Sequence, residues 1–381
     1  MGTAISDGLY RRTRDAVLRD DYDFITADEN GLRVLRELLR QETPARVTAP
    51  RVPDIGLPEN PRDLREAWDG LSRSEKEELF QADPYIGNRG GIPQADRDFY
   101  NRRTLQNLWQ QARAAGDNDR TMIYHEMMRM LNVPVGGQPP FYLSHIDAKG
   151  RVAFSLDNPD LADNNVVLLK PAGPEDPVGY AEPNLRQLRR IALAVEPKAR
   201  TSVTFCGVYD QPKSMVQAIF PQFAQDGAAL VRNYHEGLRA SHMGAPAHTT
   251  TIGHSYAGVV GGHAAGRGAT LDSDNMLFMG NWGTGADHVD ELSLRGVAPD
   301  RTAENVFATM APRDSVQLMP STHGTPPTDP EFGARVFSSG SAPGDGRWSP
   351  YDHAARNYLN SSNPSAGKIG LIITGHGDLV S

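Results

Sequence analysis

Cysteine occurs once in the 381 residues, at Cys206, so the chain can form neither an intramolecular disulfide nor a metal site built from several thiolates. Cys206 sits in the apolar run VTFCGVY, where a buried structural thiol is expected. Also missing is any stretch near the ~18 consecutive apolar residues of a membrane-spanning helix. The opening MGTAISDGLYRRTRD lacks the apolar segment of a secretory signal. A cytoplasmic protein with no membrane span is the expectation, although MGTAIS fits the loose myristoylation pattern.

Positive charge is in deficit. Lys and Arg number 39 against 47 Asp and Glu, a formal net charge of −8. Nucleic-acid affinity rests on cations that neutralise phosphates, so no nucleic-acid partner is expected. The Arg-rich spots at Arg11, Arg12 and Arg14 and at Arg186, Arg189 and Arg190 read as solvated faces.

Metal and nucleotide signatures are absent too. His125-Glu126 and His235-Glu236 begin like H-E-x-x-H, but Arg129 and Arg239 stand where the second histidine belongs. The glycines from Gly258 to Gly268 match neither G-x-G-x-x-G nor a P-loop. No metal and no cofactor are implied.

What is present is enough apolar residue, 39%, to offset the entropy of folding. Residues 1–140 read as a helical region. Leu32, Leu35, Leu38 and Leu39 fall on one helical face, and a Pro-rich stretch at 43–61 breaks the pattern. Ser72 with Glu75 forms a capping-box signature. Further helices are expected over 95–115 and 120–131.

Beyond the breakers at Gly136 to Pro140, the period changes. FYLSHI and RVAFSL, joined by DAKG, predict a hairpin. NNVVLLK, SVTFCGVY, HTTTIGHS, NMLFMGN and NVFATMA follow as short apolar runs separated by helical segments, among them the stripe Leu185, Leu188, Ala192 and Val195. That alternation predicts a mostly parallel sheet with helices on both faces over 141–381. Residues 321–350, rich in Gly, Pro and Ser, read as a long loop. With the N-terminal helices, this loop is expected to form part of a cap. The closing KIGLIITG reads as either strand or helix.

The sharpest local pattern is Gly253-His254-Ser255-Tyr256-Ala257, after a β-branched run and before small residues that can open a helix. It is a G-x-S-x-G nucleophile elbow with alanine in the last place. A tight strand-to-helix turn lifts the serine hydroxyl clear of the backbone, and small flanking residues avoid clashes there. The turn also aims the Tyr256 N–H at an oxyanion formed when Ser255 attacks a carbonyl.

The partners are expected in the order serine, acid, histidine. Asp314, just past the apolar run in ENVFATMAPRDSV, is the candidate acid, with Asp287 and Asp290 as rivals. His353 in SPYDHAARNYL is the candidate base, with His323 and His376 as rivals. A second oxyanion donor is expected after NNVVLLK, from Lys170 or Ala172, because Pro171 has no N–H. His254 and Trp282 complete the set expected to face substrate.

The stretch PAHTTTIGHSYAGVVGGHAA resembles the elbow of an actinobacterial α/β-hydrolase family long catalogued as a domain of unknown function, whose members typically read GHSYGS. ELFQADPYIGNRGGIPQADRDFYNRRTL, SHIDAKGRVAFSLDNPDLADNNVVLLKPAG and THGTPPTDPEFGARVF are similar to further segments of that family, in the same order. The resemblance implies an α/β-hydrolase fold with a helical N-terminal region and a triad carried by Ser255, Asp314 and His353. It says little of substrate. Three departures lie near the expected site: Ala257-Gly258 for Gly-Ser, Asn281-Trp282-Gly283 for Ser-Pro-Gly, and Ala172 for a glycine.

The leading expectation is a serine hydrolase acting on an ester, lactone or thioester of a hydrophobic small molecule. A cyclase or lyase tailoring a specialised metabolite is the alternative that the departures favour. A catalytically silent binding protein is the third.

Overall fold

The computed structural model describes residues 56–132, 136–173, 176–319, 321–344 and 347–381. The leucine stripe at 32–39, the basic spot at 11–14 and the MGTAIS pattern lie outside them.

Eight strands form one sheet in the order β1-β2-β4-β3-β5-β6-β7-β8. They are β1 (Phe141–Ile146), β2 (Val152–Leu156), β3 (Asn164–Leu169), β4 (Thr201–Gly207), β5 (His248–His254), β6 (Asn275–Met279), β7 (Val306–Thr309) and β8 (Arg335–Val336). The hairpin β1-β2 is antiparallel, and β2 pairs antiparallel with β4. All pairings from β4 through β3 to β8 are parallel.

Alternation along the strands builds two cores. Val166 and Leu168 of β3 face one apolar cluster, together with Leu185 and Leu188 of helix α5 (Pro177–Val195) and Ile369 and Ile372 of helix α8 (Pro364–Ile373). Val167 and Leu169 face the other, with Val231 and Leu238 of helix α6 (Gln222–Ser241) and Val259 and Val260 of helix α7 (Tyr256–Ala265). The sheet is thus sandwiched between helices, which explains why its central strands read as unbroken apolar runs rather than alternating ones. This is the α/β-hydrolase fold.

Four helices precede the sheet: α1 (Pro61–Asp69), α2 (Arg73–Ala82), α3 (Gln94–Ala115) and α4 (Asn118–Asn132). The capping box at α2 forms as its spacing predicts, with Ser72 accepting from the Glu75 N–H and Glu75 accepting from the Ser72 N–H. Gly116, at φ +70°, ends α3 in the left-handed conformation that favours glycine. Helix α3 lies along β1 and against α4, and α1 packs on α6. Strand β1 is four positions from β5, about 19 Å across the sheet. Helices α3 and α4 thus cover β1, the antiparallel edge strand of the sheet.

Two details depart from the sequence reading or settle it. The ambiguous KIGLIITG is helical, the body of α8. Within the long 321–350 stretch, Arg335 and Val336 add a two-residue strand beside β7, too short for any periodicity to reveal.

Candidate active site

At β3 the chain reverses its direction of travel across the sheet, because β4 lies on one side of it and β5 on the other. In open parallel sheets a crevice forms beyond the carboxyl ends of the strands at such a point. The carboxyl end of β5 runs into Ser255, which has φ +54° and ψ −138° and stands between the strand and the first residue of α7. A non-glycine residue there carries about 1–3 kcal/mol of backbone strain. The turn is held by Ser255 N–H donating to Met279 O at 3.1 Å and by Gly258 N–H donating to Ser255 O at 3.0 Å.

Why Ala257 is tolerated in the last place of the motif follows from the packing. A Cβ on Gly253 would lie 2.6 Å from the Cα of Gly258. One on Gly258 would collide with the Asn281 side-chain amide. The position that must lack a side chain is therefore 258, and Ala257 is simply buried.

Ser255 Oγ lies 2.9 Å from His353 Nε2, and His353 Nδ1 lies 3.0 Å from Asp314 Oδ2. Because a carboxylate only accepts, Nδ1–H is the donor, which leaves Nε2 free to accept from the serine hydroxyl. The three expected residues are thus in one hydrogen-bonded line, each on a loop past a strand or on a short turn. Asp314 caps the 3₁₀ turn Ser315–Leu318, its Oδ1 accepting from Val316 N–H at 2.9 Å. His353 ends the short helix Pro350–His353. Ser349 N–H donates to Arg313 O at 3.0 Å and ties the two loops together.

Electrostatics suits the line. Burial pushes the fully enclosed Asp314 carboxyl up, but hydrogen bonds from His353, Tyr358 and Val316 N–H, with the His353 charge, outweigh it. The net position is below the ordinary carboxylate range. The His353 side chain keeps 25% of its surface exposed, so substrate and solvent can reach it.

Tyr256 opens α7, so its N–H has no partner within the helix and the positive end of the helix dipole lies there. Lys170 is corrected as an oxyanion donor. Its N–H continues the β3-β4 ladder and donates to Cys206 O at 3.0 Å, which leaves Ala172, two residues further into the loop.

Both ring nitrogens of His254 are taken by protein groups. Its Nε2–H donates to the carbonyl of His353 at 2.7 Å, and Tyr180 OH donates to its Nδ1 at 3.2 Å. Burial lowers its pKa to about 3, with the His353 charge contributing, so the ring is neutral. It braces the backbone of the loop that carries His353. Trp282 is buried in the second core with its ring 6.0 Å from that of His323, which makes it a packing residue.

The rivals are placed elsewhere. Asp287 accepts from Thr325 N–H, and Asp290 pairs with His288 on the surface. The buried His323 bonds Ala218 O, and His376 pairs with Glu196. Burial raises the Cys206 thiol to about 12, in keeping with a structural role. Among the described residues, no helix is long and apolar enough to cross a membrane, and no group of three or more His, Cys, Asp or Glu could hold a metal ion.

Sequence reasoning missed Tyr358. Its hydroxyl donates to Asp314 Oδ2 at 2.5 Å and accepts from Ala311 N–H at 3.0 Å. A tyrosine five residues after the histidine carries no motif, and only the folded loops bring it there.

A family model described as alpha/beta hydrolase matches residues 148–323, a span that includes Ser255 and Asp314 and stops short of His353. An uncharacterized protein of Mycobacterium tuberculosis is 24% identical over 422 residues, covering 96% of this chain and 62% of the relative. An uncharacterized protein of Mycobacterium bovis is 32% identical over 167 residues, 44% of this chain and 54% of the relative. Among solved structures, Thermogutta terrifontis esterase 2 aligns with TM-score 0.34 at 8% identity, over 64% of this chain and 97% of that one. A mutant of the esterase E40 aligns with TM-score 0.38 at 14% identity, over 71% and 98%. The chain spans 62% of the length of the Mycobacterium tuberculosis relative it matches, and over residues 148–323 it is similar to the alpha/beta hydrolases.

Proposed function

We propose that the protein is a serine hydrolase acting on an ester, lactone or thioester of a hydrophobic small molecule. The observation that carries the reading is the continuous line from Ser255 Oγ through His353 to Asp314, at 2.9 and 3.0 Å, on a serine held at positive φ. Ser255 attacks the carbonyl while His353 Nε2 takes its proton. The same proton passes to the leaving group, and water then repeats the cycle on the acyl-enzyme. Asp314 fixes the imidazole tautomer and stabilises the imidazolium. The N–H groups of Tyr256 and Ala172 receive the oxyanion, and the start of α7 adds favourable dipole.

An apolar substrate is favoured by the surface around the acid and base loops. Leu318, Trp348 and Tyr351 are 51%, 49% and 62% exposed, and they lie on the segments that carry Asp314 and His353. Large apolar side chains left open on the segments that carry the proposed acid and base support an apolar binding surface.

The reading is tested with p-nitrophenyl esters of increasing acyl length. Turnover is expected to need Ser255, with kcat falling by about 10⁴ or more in Ser255→Ala, and kcat/KM is expected to rise with acyl length. Turnover that survives Ser255→Ala overturns the mechanism, and equal kcat/KM for acetyl and octanoyl esters overturns the apolar specificity.

A further inference from the structure

We infer that Tyr358 is a positioning residue for the proposed reaction: its hydroxyl, held by the Ala311 N–H, aims the Asp314 carboxylate at His353 and tunes how firmly the Asp314-His353 pair keeps a proton. The inference rests on the serine-hydrolase reading and deepens it.

The direction of the hydrogen bonds is fixed by chemistry. Ala311 N–H can only donate, so it occupies a lone pair of the Tyr358 oxygen at 3.0 Å. The single phenolic proton then goes to Asp314 Oδ2 at 2.5 Å, where His353 Nδ1–H also arrives at 3.0 Å. Asp314 Oδ1 is taken by Val316 N–H. Both carboxylate oxygens are thereby oriented by donors that do not titrate near neutrality, apart from His353 itself. Tyr358 and Asp314 are both wholly buried, so water cannot replace a lost donor without reorganising the site.

Space for the arrangement comes from Gly280, at φ +65°. A Cβ there would lie 3.0 Å from Asp314 Oδ2 and from Tyr358 Oη, and 3.4 Å from His353 Nδ1. The backbone of the β6 loop therefore lies directly over the junction of the three groups. Other titratable groups nearby are few. His254 meets the His353 backbone from β5, and Asp352, which faces Arg313 at 3.6 Å, acts on Tyr358 from the short helix.

Removing the phenolic donor makes the carboxylate more basic, and a more basic carboxylate holds the imidazolium proton to higher pH. The test is the rate of covalent labelling by a fluorophosphonate as a function of pH, for wild type, Tyr358→Phe, and protein with 3-fluorotyrosine at position 358. In Tyr358→Phe the acid limb is expected to move up by about half a pH unit to one unit, with the plateau rate down by about tenfold. The fluorinated phenol keeps the shape and donates more strongly, so its limb is expected to move down, and it carries the test if Tyr358→Phe fails to fold.

A purely structural tyrosine gives a wild-type limb in the fluorinated protein, and that result overturns the inference. Wild type that is never labelled overturns the serine-hydrolase reading first, and this inference with it.

Discussion

Two polar regions meet at Gly280-Asn281, and they are built by opposite rules. On one side, each oxygen of the Asp314 carboxylate has a donor, from His353, Tyr358 and Val316. On the other, the loop 281–285 is wedged against α7, its Thr284 and Gly285 N–H groups donating to His323 O while several side-chain polar atoms at the contact stay unpaired. Asn281 Oδ1, Thr284 Oγ1 and both ring nitrogens of His263 are buried without a hydrogen-bond partner among the described residues. Bare helix positions admit this loop. A Cβ on Gly262 would lie 2.0 Å from Thr284 O, and one on Gly258 would meet the Asn281 amide, which itself donates to Ser255 O. Where a charge must be held in place, donors are supplied. Where a loop must be held close behind Ser255, contact comes at the expense of side-chain hydrogen bonds, each orphan costing about 1–3 kcal/mol.

The contrast is broken most severely at the junction. Gly280→Ala places a methyl group against the Asp314-Tyr358 contact in a backbone conformation that disfavours it. The kcat on p-nitrophenyl esters under the proposed mechanism is expected to fall at least about a hundredfold while the circular dichroism spectrum stays that of the wild type. An unchanged kcat would mean that the junction tolerates displacement.

Gly262→Ala strikes the other region. Its methyl group meets backbone rather than a flexible side chain, so a loss of about 2–3 kcal/mol in urea unfolding is expected. Stability within half a kcal/mol of wild type would show that the wedge can yield.

His254→Leu removes the donor to the His353 carbonyl and leaves Tyr180 OH without its acceptor. A fall of about tenfold in kcat, with KM nearly constant, is expected from loosening the loop that carries His353, the proposed base.

The smallest effect concerns pH. Burial first, with nearby positive charge, lowers His263 to about 4. Burial likewise holds His254 at about 3 and His145 at about 4. A folded-state pKa below the unfolded value of about 6.5 means that the unfolded chain binds more protons over that interval. Stability therefore declines as pH falls from about 6.5 towards 4. His263→Gln removes one of these groups from a site where neither nitrogen is bonded. The slope of stability against pH is expected to flatten by at most about 1.4 kcal/mol per unit, read from unfolding curves at pH 4.5 to 7. An unchanged slope would show that His263 is not buried neutral.

The same contrast explains what could be read from sequence. The structure brings Ser255, Asp314 and His353 together as their order in the sequence predicts, and the apolar runs of β5 and β7 mark where the first two stand, whereas His353 follows no apolar run and is legible only by order and spacing. The hairpin and the parallel strands were legible from their apolar runs. Lys170 was misplaced because sequence shows that an N–H exists but not that the β4 carbonyl at Cys206 already holds it. His254 reads as part of the elbow, yet its ring turns towards the His353 backbone, 99 residues away in sequence. Tyr358 and Gly280 meet Asp314 only through the closure of three separate loops, and no local pattern encodes that meeting. Trp282 looked like a substrate wall by its neighbours in sequence, whereas its ring packs inward against His323.

The central claim is that Ser255 is a nucleophile activated by His353. It is tested most directly by intact-protein mass spectrometry after incubation with a fluorophosphonate. The account predicts a single adduct on wild type, and none on either Ser255→Ala or His353→Ala over the same interval. An adduct that persists on Ser255→Ala, or a folded wild type that takes up none, would contradict it.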